Sequence, residues 1–124
     1  MREAMKDPWG SKTLKELAAD KKTATIILSD HTRPVPSKDI IPLMLEDMRS
    51  GNQDIDITLL VATGSHRGTT VAELTEKLGE DVLKSEKIIV HDCMNSDNIE
   101  IGILPSGAKF VINSIAVETE LLAA

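Results

Sequence analysis

Three apolar, β-branched runs separated by helix-period segments constrain this chain more than any other feature. The first is Thr23-Ala24-Thr25-Ile26-Ile27-Leu28, the second Ile55 to Ala62, the third Lys87 to His91. Between the first two, Ile41, Met44, Leu45 and Met48 recur at i, i+3, i+4 and i+7, one helical stripe. Between the second and third, Val71, Leu74 and Leu78 make another. The second run starts by alternating and ends continuously apolar, as a strand covered on both faces does. Strand, helix, strand, helix, strand predicts a parallel α/β sheet with right-handed crossovers.

Local signals place the element ends. A short helix is expected over 13–19 and a strand over 23–29. Ser37 reads as the N-cap of a helix from Lys38 to Arg49, with Pro42 in its first turn and Gly51 and Asn52 ending it. Thr70 with Glu73 forms a capping box for the next helix, which Gly79 closes. The last part breaks the alternation. Ile99, Ile101 and Ile103 alternate with Asn98, Glu100 and Gly102, and after Pro105-Ser106-Gly107 the segment 108–112 is apolar but for Lys109. That predicts a β-hairpin attached to the parallel core. The tail from Ser114 to Ala124 is mostly apolar with Glu118 and Glu120, and reads as a truncated or fraying end. The expected fold is a three-layer Rossmann-like α/β domain with a mainly parallel sheet and an added C-terminal β-hairpin, and 124 residues suffice for one such domain.

Aromatics make up 2 %, Trp9 and Phe110, so the core must be aliphatic. The formal net charge is −6 with no basic block, which argues against a nucleic-acid surface but not against a local cationic pocket. Cys93 is the single cysteine, so no intrachain disulfide forms and a reducing cytoplasm is the natural setting. The N-terminal stretch is charged, with no apolar core of a signal peptide, and no apolar run approaches the ~20 residues that span a bilayer.

Ligands of a parallel α/β sheet bind beyond the carboxyl ends of its strands. Here the three strands run into Ser29-Asp30-His31-Thr32-Arg33, Thr63-Gly64-Ser65-His66-Arg67 and His91-Asp92-Cys93, and all three histidines of the chain lie in these clusters. Arg33 offers a planar fork for a carboxylate or phosphate, or a salt bridge to a nearby acid. Asp30 suits the orientation of a histidine or a bond to a sugar hydroxyl, and equally an Asx-turn. His66, on a tight glycine-containing loop, is placed for general-base work. Arg67 reads as solvated or as a phosphate contact, since the 64–70 loop leads into a helix N-terminus. Adjacent His91, Asp92 and Cys93 point in different directions and lack chelating spacing, so no metal ligand is assigned. A Ser65–His66 hydrolase is disfavoured, because neighbours in sequence rarely pair as nucleophile and base.

The stretches "SDHTRPVPSK", "LLVATGSHRGTT" and "IIVHDC" resemble the N-terminal domain of the nickel-dependent lactate racemase family, with supporting likeness in "PLMLEDMRSGNQDIDITLLVATG" and "GILPSGAKFVINS". The resemblance covers nearly the whole chain. It implies a fragment (1–124) of the N-terminal domain of a larger two-domain protein, with the site in the cleft between domains. It implies a 2-hydroxyacid racemase or epimerase that moves the substrate's α-hydrogen as a hydride to and from a nickel pincer nucleotide tethered to a lysine. Two histidines alternate as base and acid on the hydroxyl, and His66 matches one of them. Arg33 matches a residue that holds the substrate carboxylate, and Asp30 a polar partner in the same pocket. The second histidine, the lysine and the nickel-binding histidine belong to later chain, so this piece alone is expected neither to carry the cofactor covalently nor to racemise.

His66 is therefore assigned as catalytic, and Asp30, Thr32, Arg33, Gly64, Ser65 and Arg67 as substrate- or cofactor-binding. The expected partners are a small 2-hydroxy acid and the rest of the parent chain, with self-association left open. The alternative is a stand-alone nucleotide- or phosphate-binding α/β module without catalysis.

Overall fold

The computed structural model describes residues 2–124. Its elements are α1 (Arg2–Lys6), α2 (Leu14–Ala18), β1 (Thr23–Ser29), α3 (Ser37–Gly51), β2 (Asp56–Ala62), α4 (Val71–Leu78), α5 (Glu80–Ser85), β3 (Lys87–Val90), β4 (Asn98–Ile103), β5 (Lys109–Asn113), α6 (Ser114–Glu118) and β6 (Leu121–Ala123). One four-stranded sheet has the order β3-β2-β1-β6, and every neighbouring pair in it is parallel. β4 and β5 form a separate antiparallel pair with a register shift between Glu100 and Gly102.

Alternation along the strands divides the molecule into three layers. Ala24, Ile26 and Leu28 of β1 and Ile57, Leu59 and Val61 of β2 share a core with Ile41, Leu45 and Met48 of α3, Leu74 and Leu78 of α4 and Val82 of α5. The opposite face of β1 meets α6, where the Thr25 hydroxyl donates to the Ile115 carbonyl at 3.4 Å. The core is aliphatic, as the composition demands.

Several local expectations are corrected. Ser37 is not an N-cap: it is the first residue of α3, it is buried, and the capping position belongs to Pro36 without a side-chain bond. The prolines hold the entering chain so that the Asp39 and Ile40 amides already donate to the Pro36 carbonyl. Gly51 does end α3, but a left-handed cap is not why it is glycine. A Cβ there would overlap the Lys15 carbonyl oxygen where α2 crosses α3. Gly79, at φ +84°, closes α4 and at once opens the short α5, which periodicity did not reveal. An ion pair anchors that end: both guanidinium nitrogens of Arg49 donate to Glu86, at 2.8 and 2.7 Å, and the Glu86 side chain is only 4 % exposed.

The tail is the largest correction. Of its two sequence readings, a truncated chain or a fraying end, the second fails: the tail forms α6 and the edge strand β6. Asn113 caps α6 by accepting from the Ile115 amide, and β6 pairs with β1 from Ala24↔Leu121 to Ile26↔Ala123.

Candidate functional site

The sheet order reverses between β1 and β6: the chain runs β1 to β2 to β3 in one direction, then returns to the other side of β1. Such a switch point opens a crevice beyond the strand ends. A cleft of about 760 Å³ lies there. Ile40, Ile41 and Met44 of α3 form its apolar wall, and Asp30, Arg33, Ser65 and His66 supply its polar side.

Asp30 follows β1 directly and is 3 % exposed. Its Oδ1 accepts from the Thr32 amide at 3.1 Å and the Thr32 hydroxyl at 2.6 Å. Its Oδ2 faces His66 Nδ1 at 2.6 Å. One carboxylate thus makes the Asx-turn and orients a histidine, because its two oxygens are used separately. The Thr32 hydroxyl first, and His66 second, hold the Asp30 carboxyl well below the usual carboxylate range. An ionised carboxylate only accepts, so the proton between the two groups sits on His66 Nδ1. In the neutral imidazole, Nε2 is then left as the basic atom.

The His66 loop is shaped by its own turn. Gly64 has φ +57°, a conformation that favours glycine, and the His66 amide closes the turn on the Thr63 carbonyl at 3.0 Å. The Thr63 hydroxyl donates to the His91 carbonyl at 2.6 Å and ties the ends of β2 and β3. Ser65 lines the cleft beside His66, whose own side chain remains 49 % exposed.

The two arginines differ. Arg33 lines the cleft and makes no ion pair among the described residues. Its carbonyl accepts from Lys77 Nζ at 3.1 Å, and burial pushes that ammonium's pKa down. Arg67 turns away: its two terminal nitrogens donate to the two oxygens of Glu73, at 2.9 and 2.6 Å. Thr32 likewise has its hydroxyl engaged by Asp30. Of the assigned residues, the structure therefore brings Asp30, Arg33, Gly64, Ser65 and His66 to the cleft lining, with Thr32 behind Asp30 and Arg67 against α4.

The other histidines have structural partners. His31 Nδ1 meets the Thr69 hydroxyl at 3.1 Å, and His91 Nδ1 meets the Asn113 amide nitrogen at 3.1 Å. Among the described residues no three His, Cys, Asp or Glu side chains converge as a metal site. Nor is any described helix long and apolar enough to cross a membrane. Two features of the cleft escaped sequence reasoning. One is the α3 wall, whose Ile41 and Met44 read only as core stripe. The other is Ser29 Oγ, the one buried side-chain polar atom without a partner among the described residues.

Fold and site together define a parallel α/β domain with an aspartate–histidine pair and an uncommitted arginine at a switch-point cleft. The chain belongs to the lactate racemase N-terminal domain family, whose sequence model matches residues 1–124. It is 50 % identical over 125 residues to a lactate racemase of Thermoanaerobacterium thermosaccharolyticum, covering 100 % of this chain and 29 % of that protein. It is 47 % identical over 120 residues to a lactate racemase of Lactiplantibacillus plantarum, covering 96 % of this chain and 28 % of that one. The structure of the lactate racemase apoprotein from T. thermosaccharolyticum aligns with a TM-score of 0.94 at 48 % identity, over 98 % of this chain and 29 % of that chain. A Thermotoga maritima protein at 17 % identity and TM-score 0.65 shares the fold. The chain thus spans less than a third of the length of the curated relatives it matches.

Proposed function

We propose that this chain is a fragment of the N-terminal domain of a 2-hydroxyacid racemase or epimerase, and that His66 is the base that acts on the substrate hydroxyl. The observation that carries the reading is the 2.6 Å bond from His66 Nδ1 to Asp30, which leaves Nε2 basic in a cleft shared with Arg33. The names of the relatives make lactate the first substrate to try.

Taking a 2-hydroxy acid to its keto acid removes a proton from oxygen and a hydride from carbon. His66 Nε2 takes the hydroxyl proton, and the buried Asp30 carboxylate stabilises the imidazolium that results. Arg33 holds the substrate carboxylate through its fork, and the α3 wall keeps water from the apolar side of the substrate. For the other enantiomer, the hydride would return to the opposite face of the carbon and the proton would come from the second histidine, which the family resemblance places in the rest of the parent chain.

The nickel pincer nucleotide that the family resemblance implies supplies the hydride acceptor when bound. Beside such a group, Asp30, Arg33 and His66 of this chain would line the cleft and hold the substrate. By the family resemblance, the metal and lysine attachments, a second histidine and the closing domain would come from the rest of the parent chain. A reducing cytoplasm suits the exposed, unpaired Cys93. The phosphate-module alternative loses support at the start of α4, where Glu73 already takes the Thr70 amide and the Arg67 guanidinium.

The test uses the full-length protein matured with its cofactor. It is given one enantiomer of lactate, and appearance of the other is followed. Activity is expected, with near-complete loss on His66→Gln, and a fully active variant overturns the role given to His66. Saturable binding of mononucleotides to the 124-residue chain by calorimetry, without racemisation by the full-length protein, would favour the binding module instead.

A further inference from the structure

The proposed reaction uses Asp30, Arg33 and His66 and leaves a second polar cluster unexplained, on the α4 side of the same loops. Its centre is the Glu73 carboxylate. Glu73 accepts from Arg67 at 2.9 and 2.6 Å, from the Thr70 amide at 2.8 Å and from the Thr70 hydroxyl at 2.9 Å. His31 Nε2 lies 3.9 Å from Glu73 Oε1. Arg67 first, and the Thr70 amide second, hold the Glu73 carboxyl far below its ordinary range. A helix cap needs only the Thr70 contacts. The Arg67 fork and the His31 approach exceed that need.

The elements that these contacts join are the two site loops. Arg67 follows His66 directly, so its fork on Glu73 fixes the backbone that carries the base to the first turn of α4. Arg67 also donates to the Gly68 carbonyl at 3.0 Å, which stiffens the same loop from within. His31 follows Asp30 directly, and its Nδ1 bond to the Thr69 hydroxyl at 3.1 Å ties the other half of the dyad to the residue before the Thr70 cap, with Nε2 standing 3.9 Å from Glu73. Lys77, one turn further along α4, holds the Arg33 carbonyl. Thus each residue of the proposed site has a neighbour in sequence, or its own backbone, tied to α4.

We propose that Glu73 is a positioning residue for the Asp30–His66 pair, acting through Arg67 on the loop that carries His66. This rests on the assignment of His66 as the base, and it gives Arg67 a role other than ligand binding. An exposed ion pair contributes little to global stability. The pair's effect is local: a 2.6 Å hydrogen bond across two loops closes only if both loops are held. Catalytic geometry tolerates about 0.5 Å of slack, which an unanchored surface loop exceeds.

The experiment reads the His66 Nδ1–H proton directly, in the 124-residue chain labelled with 15N at histidine. Glu73→Gln keeps a side-chain oxygen for the Thr70 cap and removes the charge that holds Arg67. Arg67→Met keeps the cap entirely, so α4 retains its start if Glu73→Gln should fail to fold. Wild type is expected to show a low-field Nδ1–H resonance protected from exchange. Both variants should lose it through exchange while their circular dichroism and melting stay near wild type. The double variant should be no worse than either single one, since the two residues act as one unit. A resonance that keeps wild-type protection in the folded variants overturns the proposal. In the matured full-length protein the same variants should lower kcat more than they raise KM. Loss of the resonance with unchanged racemisation would keep Glu73 as the positioning residue and remove His66 from catalysis, so the two readings fail separately.

Discussion

Replacing Asp30 with asparagine changes one atom and should reverse the tautomer of His66. Both Thr32 donors, the amide at 3.1 Å and the hydroxyl at 2.6 Å, point at Oδ1 of Asp30. An asparagine at 30 must keep its carbonyl oxygen there, because its NH₂ would face two donors. The NH₂ then takes the place of Oδ2, 2.6 Å from His66 Nδ1. A donor at that position needs an acceptor opposite, so the imidazole proton moves from Nδ1 to Nε2. Nε2 is the atom assigned to take the substrate proton, and it would no longer be basic. General-base catalysis contributes about 10²–10⁴-fold to rate, and a wrong-tautomer aspartate-to-asparagine change in hydrolytic triads costs about 10⁴-fold. The full-length matured protein carrying Asp30→Asn should fall within that range while KM changes little, since Arg33 still holds the carboxylate. The structural half of the argument is read independently by long-range 1H–15N correlation on the chain itself. Wild type should show the proton on Nδ1 and the variant should show it on Nε2. An Asp30→Asn protein whose His66 stays protonated on Nδ1 refutes the reasoning, because the Thr32 donors would not then fix the amide.

Three further outcomes follow from the packing and charges. Ser29→Ala removes a buried hydroxyl with no partner, so melting should show stability unchanged or raised by up to about 1 kcal/mol, and a clear loss would mean the hydroxyl is satisfied. Gly51→Ala should destabilise by at least about 1–3 kcal/mol, the range for overpacking, because the new Cβ meets the Lys15 backbone, which cannot rotate away; a wild-type urea midpoint would contradict this. Asp30 and Glu86 both have carboxyls held low in the folded chain, by Thr32 and Arg49 first in each case. A depressed carboxyl gives stability that is present above its unfolded pKa and lost as pH falls toward the folded value. The carboxyl contribution to the urea midpoint should be level above about pH 5 and fall below about pH 4, and a midpoint unchanged down to pH 3 would refute the assigned shifts.

The parallel core was legible because it repeats a simple physical rule. Buried strands read as apolar runs, as in Ile26 to Leu28 and Leu59 to Val61, and α3 shows its core stripe at helical spacing. The meeting of the strand-end clusters on one edge follows from parallel order alone, and the structure brings Asp30 and His66 to hydrogen-bond distance. What stayed hidden depends on long-range contact. The β6 edge strand is three residues long, and only its pairing with β1 defines it. The hairpin alternates clearly, yet nothing local says that β4 and β5 form a sheet of their own and leave Ile103, Phe110 and Val111 exposed. Arg33 and Arg67 look alike in sequence, and only Glu73, a turn into α4, separates an open guanidinium from an occupied one. Gly51 illustrates the same limit. Its position at a helix end suggested a cap, while its reason is the backbone of a helix 36 positions earlier (Gly51 against Lys15).

The central claim is that Asp30-held His66 takes the hydroxyl proton, and the pH dependence of kcat/KM tests it most directly. In the full-length matured protein with a single lactate enantiomer, the wild-type rate should fall on the acid side as one group takes up a proton. In His66→Gln the residual rate should be lower and that acid limb should vanish. A variant that keeps the same acid limb would contradict the account, because the base would then be another group.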